Sequence, residues 1–361
     1  VKRASIDIEV ICRYFRFRIM PIANRIGIFA ASSIVPVAEL NLGVALLEDY
    51  GFEVFVHPQV LGRHFIYPGT DVERAEAFYE MACEDQIDVL WAARGGYGAG
   101  KILPLLDQLT RERGKPKRRK LLAGFSDVTV LHEFVRRRWD WATVHSAMPA
   151  GMSFARLKDE DRDATLACIK GELTRFRWEN TSLEFITAPP SQAISAELIG
   201  GNLSLWQTLA GTPYAPNVSG KMLFFEDVDE RPYRLDRMLT QIVQSGGLDG
   251  VRAIILGDFT RCDDESNLCF KPLDPGEDPR HLLSDTDKRE QIPIRETFST
   301  DAALKEIFGT VGERLKIPVA RGLPVGHGPN YCPLPWGAMY QLTPDGALSM
   351  TKWAWNCQSE K

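Results

Sequence analysis

The feature that most limits how this chain can fold is the run Lys120-Leu121-Leu122-Ala123-Gly124-Phe125-Ser126-Asp127-Val128-Thr129-Val130-Leu131-His132. Its first half is short, apolar and unbroken, the pattern of a strand buried on both faces. Gly124 then allows a sharp backbone turn, and Ser126 stands where a helix opens. A strand that feeds a helix through so tight a turn exposes a serine hydroxyl at the strand end. The amides of the first helical turn lie beside it, with partial positive charge that can stabilise an oxyanion. Two readings of Ser126 follow: a nucleophile, or a residue that caps the helix.

Three other segments bear on that choice. Upstream, Ile87-Asp88-Val89-Leu90-Trp91-Ala92-Ala93 reads as another buried strand and runs into Arg94-Gly95-Gly96-Tyr97-Gly98-Ala99-Gly100. Glycines without Cβ let backbone amides approach a ligand closely, as an oxyanion hole requires. The same segment could cradle a phosphate, but it lacks the Gly-x-x-x-x-Gly-Lys-Ser/Thr pattern. Downstream, Lys221-Met222-Leu223-Phe224-Phe225 is a strand ending in Glu226, Asp227, Asp229 and Glu230. A carboxylate there could orient a histidine, and the alternative is a solvated acidic turn. Finally, Gly322-Leu323-Pro324-Val325-Gly326-His327-Gly328-Pro329-Asn330 holds one histidine between glycines on a loop, the setting of an exposed general base. His145 closes a further apolar run, Trp141 to Ser146, and is a rival base or a structural histidine. His57, His64, His132 and His281 stand in weaker contexts.

From about residue 24 to 150 strand-like and helix-like runs alternate: a strand at 26–30, a helix at 37–50, a strand at 52–56, a helix at 71–85, then the strands ending at Arg94 and Ser126. That alternation predicts an α/β fold whose N-terminal part is a mainly parallel sheet flanked by helices. The proline-rich stretch 187–195 reads as a linker to a second, smaller mixed α/β domain, 196–361, and the nucleophile-bearing domain covers 24–186. A site built from Ser126, Glu226 and His327 then falls between the domains. The run Tyr233 to Ser245 is a helix with a core-packing stripe of Leu235, Met238, Leu239, Ile242 and Val243. Residues 1–23 form an N-terminal extension without the pattern of a secretory signal. The polar stretch 263–294 reads as a surface insertion.

Composition narrows the function classes. With 361 residues, 44% hydrophobic and 25% charged, the chain has enough apolar content for one large or two medium domains. No run approaches the roughly 18 apolar residues of a membrane span. A formal charge of -5 and no basic, aromatic-interleaved patch argue against nucleic acid as a partner. The seven cysteines form no Cys-x-x-Cys pair and suit neither a zinc site nor a disulfide framework; reduced thiols in a cytoplasm are the simpler expectation.

Taken together, Arg94-Gly95-Gly96-Tyr97-Gly98, Gly124-Phe125-Ser126-Asp127, Ile199-Gly200-Gly201-Asn202-Leu203-Ser204-Leu205, Glu226-Asp227, Pro232-Tyr233-Arg234-Leu235-Asp236-Arg237, Gly257-Asp258-Phe259 and Pro324-Val325-Gly326-His327-Gly328 resemble the LD-carboxypeptidase family, which includes muramoyltetrapeptide carboxypeptidases and microcin-immunity peptidases. The resemblance implies a serine hydrolase with Ser126 as nucleophile, Glu226 orienting the histidine and His327 as general base. It also implies an oxyanion hole from the amides of Gly96 and Asp127. The substrate would be a murein peptide cut between an L-centre and a terminal D-amino acid, with no cofactor or metal required and a cytoplasmic homodimer as the working form. Arg94, Tyr97 and Arg234 are candidates for binding substrate. Rival readings are a peptidase acting on a peptidyl-nucleotide and a non-catalytic protein that binds wall peptides. Two departures from the family pattern are the stretch 263–294 and Ala30-Ala31-Ser32-Ser33, where the family often has a proline before the serine.

Overall fold

The computed structural model describes residues 24–151, 154–172, 176–263, 299–329 and 331–355. The extension over 1–23, His281 and all but the first residue of the polar insertion lie outside the described residues.

The first half alternates as its apolar periodicity predicts: β1 (Arg25–Phe29), α1 (Val37–Asp49), β2 (Glu53–Val56), α2 (Asp71–Cys83), β3 (Val89–Ala92), α3 (Ala99–Arg113), β4 (Leu121–Gly124), α4 (Thr129–Trp139) and β5 (Ala142–His145). The strands lie in the order β2-β1-β3-β4-β5, all parallel. β3 and β4 are buried along their whole length, which explains why their sequences are continuously apolar rather than alternating. α2 begins with a reciprocal cap, in which Glu73 N donates to Thr70 Oγ1 at 3.2 Å and Thr70 N donates to the Glu73 carboxylate at 2.7 Å.

The second half continues with α5 (Asp159–Lys170), β6 (Glu184–Phe185), β7 (Ile194–Asn202), α6 (Leu203–Thr208), β8 (Met222–Val228), α7 (Pro232–Gln244), β9 (Ala253–Thr260), α8 (Thr300–Leu315), β10 (Val319–Gly326), β11 (Leu334–Trp336), β12 (Met339–Leu342) and β13 (Leu348–Lys352). Its sheet runs β13-β12-β7-β8-β9-β10-β6, parallel from β7 to β10 and antiparallel at both edges. β7 already begins at Ile194, inside the stretch read as a linker. On α7 the expected stripe is buried at Leu235, Met238, Leu239 and Ile242. Among the described residues no helix is long and apolar enough to cross a membrane.

One strand breaks the sequential pattern. β11 leaves the second half of the chain and pairs antiparallel with β5 at the edge of the first sheet, Leu334 opposite His145. Its Trp336 also donates Nε1–H to the Gly200 carbonyl at 2.9 Å, so β11 touches both sheets. Beneath it lies a shared apolar core. Trp91, Ala123 and Val144 of the first sheet and Phe224 and Ile255 of the second belong to one buried cluster. Each large side chain buried there contributes about 1.5–3 kcal/mol, and the layer holds the carboxyl ends of β4 and β8 in fixed relation. Outer faces pack under their own helices, Leu122 with Phe78 and Phe134 in the first sheet, Leu223 and Phe225 with Leu239 and Phe308 in the second.

Candidate active site

β4 ends at Gly124, whose φ of 151° places it in a region that favours glycine; an added Cβ would sit 3.1 Å from both Val128 methyl carbons. Ser126 has φ 62°, a left-handed conformation that a serine holds only when its surroundings impose it. The surroundings are visible. The Gly124 carbonyl accepts from Ser146 N and from His132 Nε2, both at 3.0 Å. Burial pushes the His132 imidazole down to about 3, so it is a neutral donor and a structural residue. A single 3₁₀ turn, Ser126–Val128, leads into α4. Ser126 Oγ makes no hydrogen bond among the described residues, so the capping role open to it in the sequence is not realised.

The glycine turn after β3 lies against this serine. A Cβ on Gly95 would meet Ser126 Cβ at 3.0 Å and Oγ at 3.1 Å. Gly96 has φ 112°, and a Cβ there would collide with Ser33 Oγ at 2.2 Å. Ser33 Oγ in turn accepts from Tyr97 N at 3.1 Å. Asp127 ties the two segments together, its Oδ2 accepting from the Ala99 amide at 2.8 Å, the first residue of α3. Burial lifts this carboxyl to about 6 against the hydrogen bonds that favour its charge. The amides of Gly96 and Asp127 donate to no protein acceptor among the described residues. Arg94 and Tyr97 flank the turn: Arg94 Nη1 donates to the Ile34 carbonyl at 3.1 Å, and the exposed Tyr97 ring lies 6.1 Å from that of Tyr67. Arg234 sits on α7, paired with Glu230 at 3.4 Å.

The second sheet brings a carboxylate and an imidazole to the same end. At Glu226 the β8–β9 register shifts, an irregularity of the kind that re-aims a side chain. His327 follows β10 and donates Nδ1–H to Glu226 Oε2 at 2.6 Å, while its own amide donates to the same oxygen at 3.2 Å. The flanking glycines are required by close approach: a Cβ on Gly326, at φ 133°, would lie 2.8 Å from Glu226 Cβ, and one on Gly328 2.3 Å from Asp258 Oδ2. With Nδ1 committed to Glu226, Nε2 is the nitrogen left to exchange a proton.

Burial alone would raise the Glu226 carboxyl, but His327 and His145 outweigh it and hold the group down at about 2. Burial lowers the His327 imidazole, and Glu226 reverses that, leaving it above its ordinary value. The acidic run thus divides: Glu226 and Asp227 are buried, while Asp229 is exposed and paired with Arg261 at 2.6 Å. Asp227 accepts from Asn202 Nδ2 at 3.0 Å, Ser204 N at 2.9 Å and Ser204 Oγ at 2.8 Å, and burial raises it to about 6. The Gly-Gly-Asn-Leu-Ser motif therefore braces the residue next to Glu226.

The two halves meet at Phe125. Its ring centroid lies 4.7 Å from that of His327, 5.0 Å from Tyr331 and 5.4 Å from His145. No hydrogen bond joins Ser126 to His327 among the described residues, a common condition before substrate tightens such a site. Three contributors do not show their roles in the sequence alone: Phe125 as the wedge, the Asp127 side chain as the tie, and His145 as a neighbour of Glu226. The first two lie inside the serine motif, where a large apolar residue and a carboxylate flank Ser126. The third depends on β5 lying beside β4, with His145 opposite Gly124.

Two α/β sheets with a serine turn on one and a carboxylate–imidazole pair on the other are an arrangement found in peptidases, and the family models agree. The LD-carboxypeptidase N-terminal domain matches residues 26–146, and the LD-carboxypeptidase C-terminal domain matches 195–342. The chain belongs to the LD-carboxypeptidase family and is a hydrolase of the peptidase class. It is 33% identical to a protein of Streptomyces coelicolor whose assignment as a carboxypeptidase is provisional, over 80% of this chain and 89% of that one. It is 28% identical to the murein tetrapeptide carboxypeptidase of Pseudomonas aeruginosa, over 88% of this chain and 92% of that one. Among solved structures, the muramoyltetrapeptide carboxypeptidase from Oxalobacter formigenes superposes with a TM-score of 0.67 at 26% identity, covering 91% of this chain and 99% of that one.

Proposed function

We propose that this protein removes the terminal D-amino acid from murein tetrapeptides through an acyl-enzyme on Ser126. The observation that carries the reading is the 2.6 Å His327–Glu226 hydrogen bond beside a serine held in left-handed backbone. The names of the relatives in Pseudomonas and Oxalobacter supply the substrate class. His327 Nε2 takes the Ser126 proton as Oγ attacks the carbonyl carbon. Glu226 stabilises the resulting imidazolium, and the unengaged amides of Gly96 and Asp127 receive the oxyanion. The imidazolium then protonates the departing amine, and water repeats the sequence to free the enzyme.

Arg94 and Tyr97 flank the glycine turn and fit a role in holding the substrate; Arg234, on α7 and paired with Glu230, is a further candidate. The same proposal divides the chain into a nucleophile-bearing unit, 24–186, and a unit carrying Glu226 and His327, 196–361. It also includes a cytoplasmic homodimer. Mass spectrometry of purified protein with a murein tetrapeptide is expected to show the tripeptide and free D-alanine. An unchanged tetrapeptide, with cleavage of an aminoacyl-sulfamoyl nucleoside instead, would replace this substrate with the immunity-type one.

A further inference from the structure

His145 is buried at the end of β5 and takes no part in the mechanism above, yet its Nε2 lies 3.8 Å from Glu226 Oε1. Neither atom has a hydrogen-bond partner among the described residues. An orphaned donor and an orphaned carboxylate oxygen facing one another in a buried site are costly apart and are satisfied by a small closure. Glu226 then stands between two imidazoles, His327 on Oε2 and His145 on Oε1. The ring of His145 is held for this: it packs edge-on to Phe125 at 5.4 Å and to Phe224 at 5.5 Å, and its residue is the ladder partner of both Gly124 and Leu334.

The geometry points to His145 as a positioning residue for Glu226, donating Nε2–H to Oε1 and fixing the rotation of the carboxylate that orients His327. This deepens the proposed mechanism and rests on it. Because His145 sits on the sheet that carries Ser126, and Glu226 on the sheet that carries His327, the contact also registers the base against the nucleophile.

The charge that Glu226 places on His327 is shared when Oε1 receives a donor, so loss of that donor concentrates it on Oε2. The other groups facing this cluster are Asp227 and Asp229 near His327, Tyr331 near Glu226 with Asp258 and Arg261 beside it, and His132 behind His145. They are common to every variant compared.

The test uses the full chain and a fluorophosphonate probe, which phosphonylates an activated serine with loss of fluoride and needs no natural substrate. His145→Phe keeps a ring and removes the donor; His145→Gln restores an N–H at comparable reach. The labelling rate of Ser126 is expected to fall about 10- to 100-fold in His145→Phe, the effect of one hydrogen bond to a buried charge, and to recover in His145→Gln. The midpoint of its acid limb should move to higher pH in His145→Phe alone. Wild-type labelling in His145→Phe, or equal losses in both variants with no movement of the midpoint, would overturn the role of His145. Failure of wild-type Ser126 to label at all would instead overturn the triad, and this inference with it.

Discussion

The proposed nucleophile side of the site and its proposed acid–base side are held together by different physics. Around Ser126 the backbone does the work: Ser126, Gly96 and Gly124 all sit at positive φ, and the proposed functional groups are a hydroxyl and two amides set by main-chain geometry. Around His327 the side chains do it. Glu226 is fixed by a hydrogen bond to a residue 101 positions away, and Asp227 by three donors from Asn202 and Ser204. A site held by local backbone strain tolerates changes of charge but not of shape. One held by buried side-chain hydrogen bonds should show the reverse.

The largest effect should come from removing either reacting group. Ser126→Ala and His327→Ala are each expected to lower turnover by about 10⁴-fold or more while leaving the thermal transition in place, and the double variant should be little worse than either. Kinetics with the murein tetrapeptide, read beside circular dichroism, check this. Additive losses would mean that the two residues do not serve one step.

Next comes the charge on the acid–base side. Glu226→Gln preserves shape and is expected to lower kcat by about 10²- to 10⁴-fold with little change in KM. The pH profile sharpens the point. His327 is raised by Glu226, so wild-type activity should rise with pH through a midpoint above the ordinary histidine value of about 6.5. In Glu226→Gln that midpoint should fall, because the carboxylate that holds the proton on His327 has gone. An unmoved midpoint would detach Glu226 from His327.

Shape on the nucleophile side is tested by Gly96→Ala. The new methyl carbon would meet Ser33 Oγ at 2.2 Å from a backbone angle alanine avoids, so the turn must shift and carry its amide with it. A loss of about 10²- to 10³-fold in kcat is expected, the scale of one oxyanion donor. Ser33→Gly in the same chain should relieve the clash and restore part of the rate. If Gly96→Ala is fully active, the oxyanion is held elsewhere.

The same contrast explains what could be read in advance. The parallel sheet, the serine turn and the glycine turn were legible because each is a local pattern: a continuous apolar run, then glycine, then a helix start. The ends of β1 to β5 fell within a few residues of expectation for that reason. Glu226 and His327 were individually ambiguous, an acidic turn and a loop histidine, and only the resemblance joined them, because their pairing needs β8 and β10 in one sheet. The return of β11 to the first sheet left no local trace, since three residues, Leu334 to Trp336, carry too little periodicity to name a partner. The local sequence of His145 does not reveal its neighbour Glu226, which a distant strand supplies.

The smallest effect concerns the carboxylate that joins the two backbone turns. Asp127 is wholly buried and its pKa in the folded protein is about 6, against about 3.9 in an unfolded chain. The folded state therefore binds its proton more readily than the unfolded state, so this group favours folding as pH falls from about 6 towards 4, and that contribution is lost as pH rises through 6. Asp127→Asn keeps an acceptor for the Ala99 amide but cannot titrate. Whatever the difference in stability between the two proteins at pH 7.5, wild type should gain on the variant by about 1–3 kcal/mol at pH 4.5. Urea denaturation of both proteins at the two pH values measures it. A difference that does not change with pH would show that Asp127 is already neutral, or fully charged, across the range, and that the tie between serine turn and glycine turn works by shape alone.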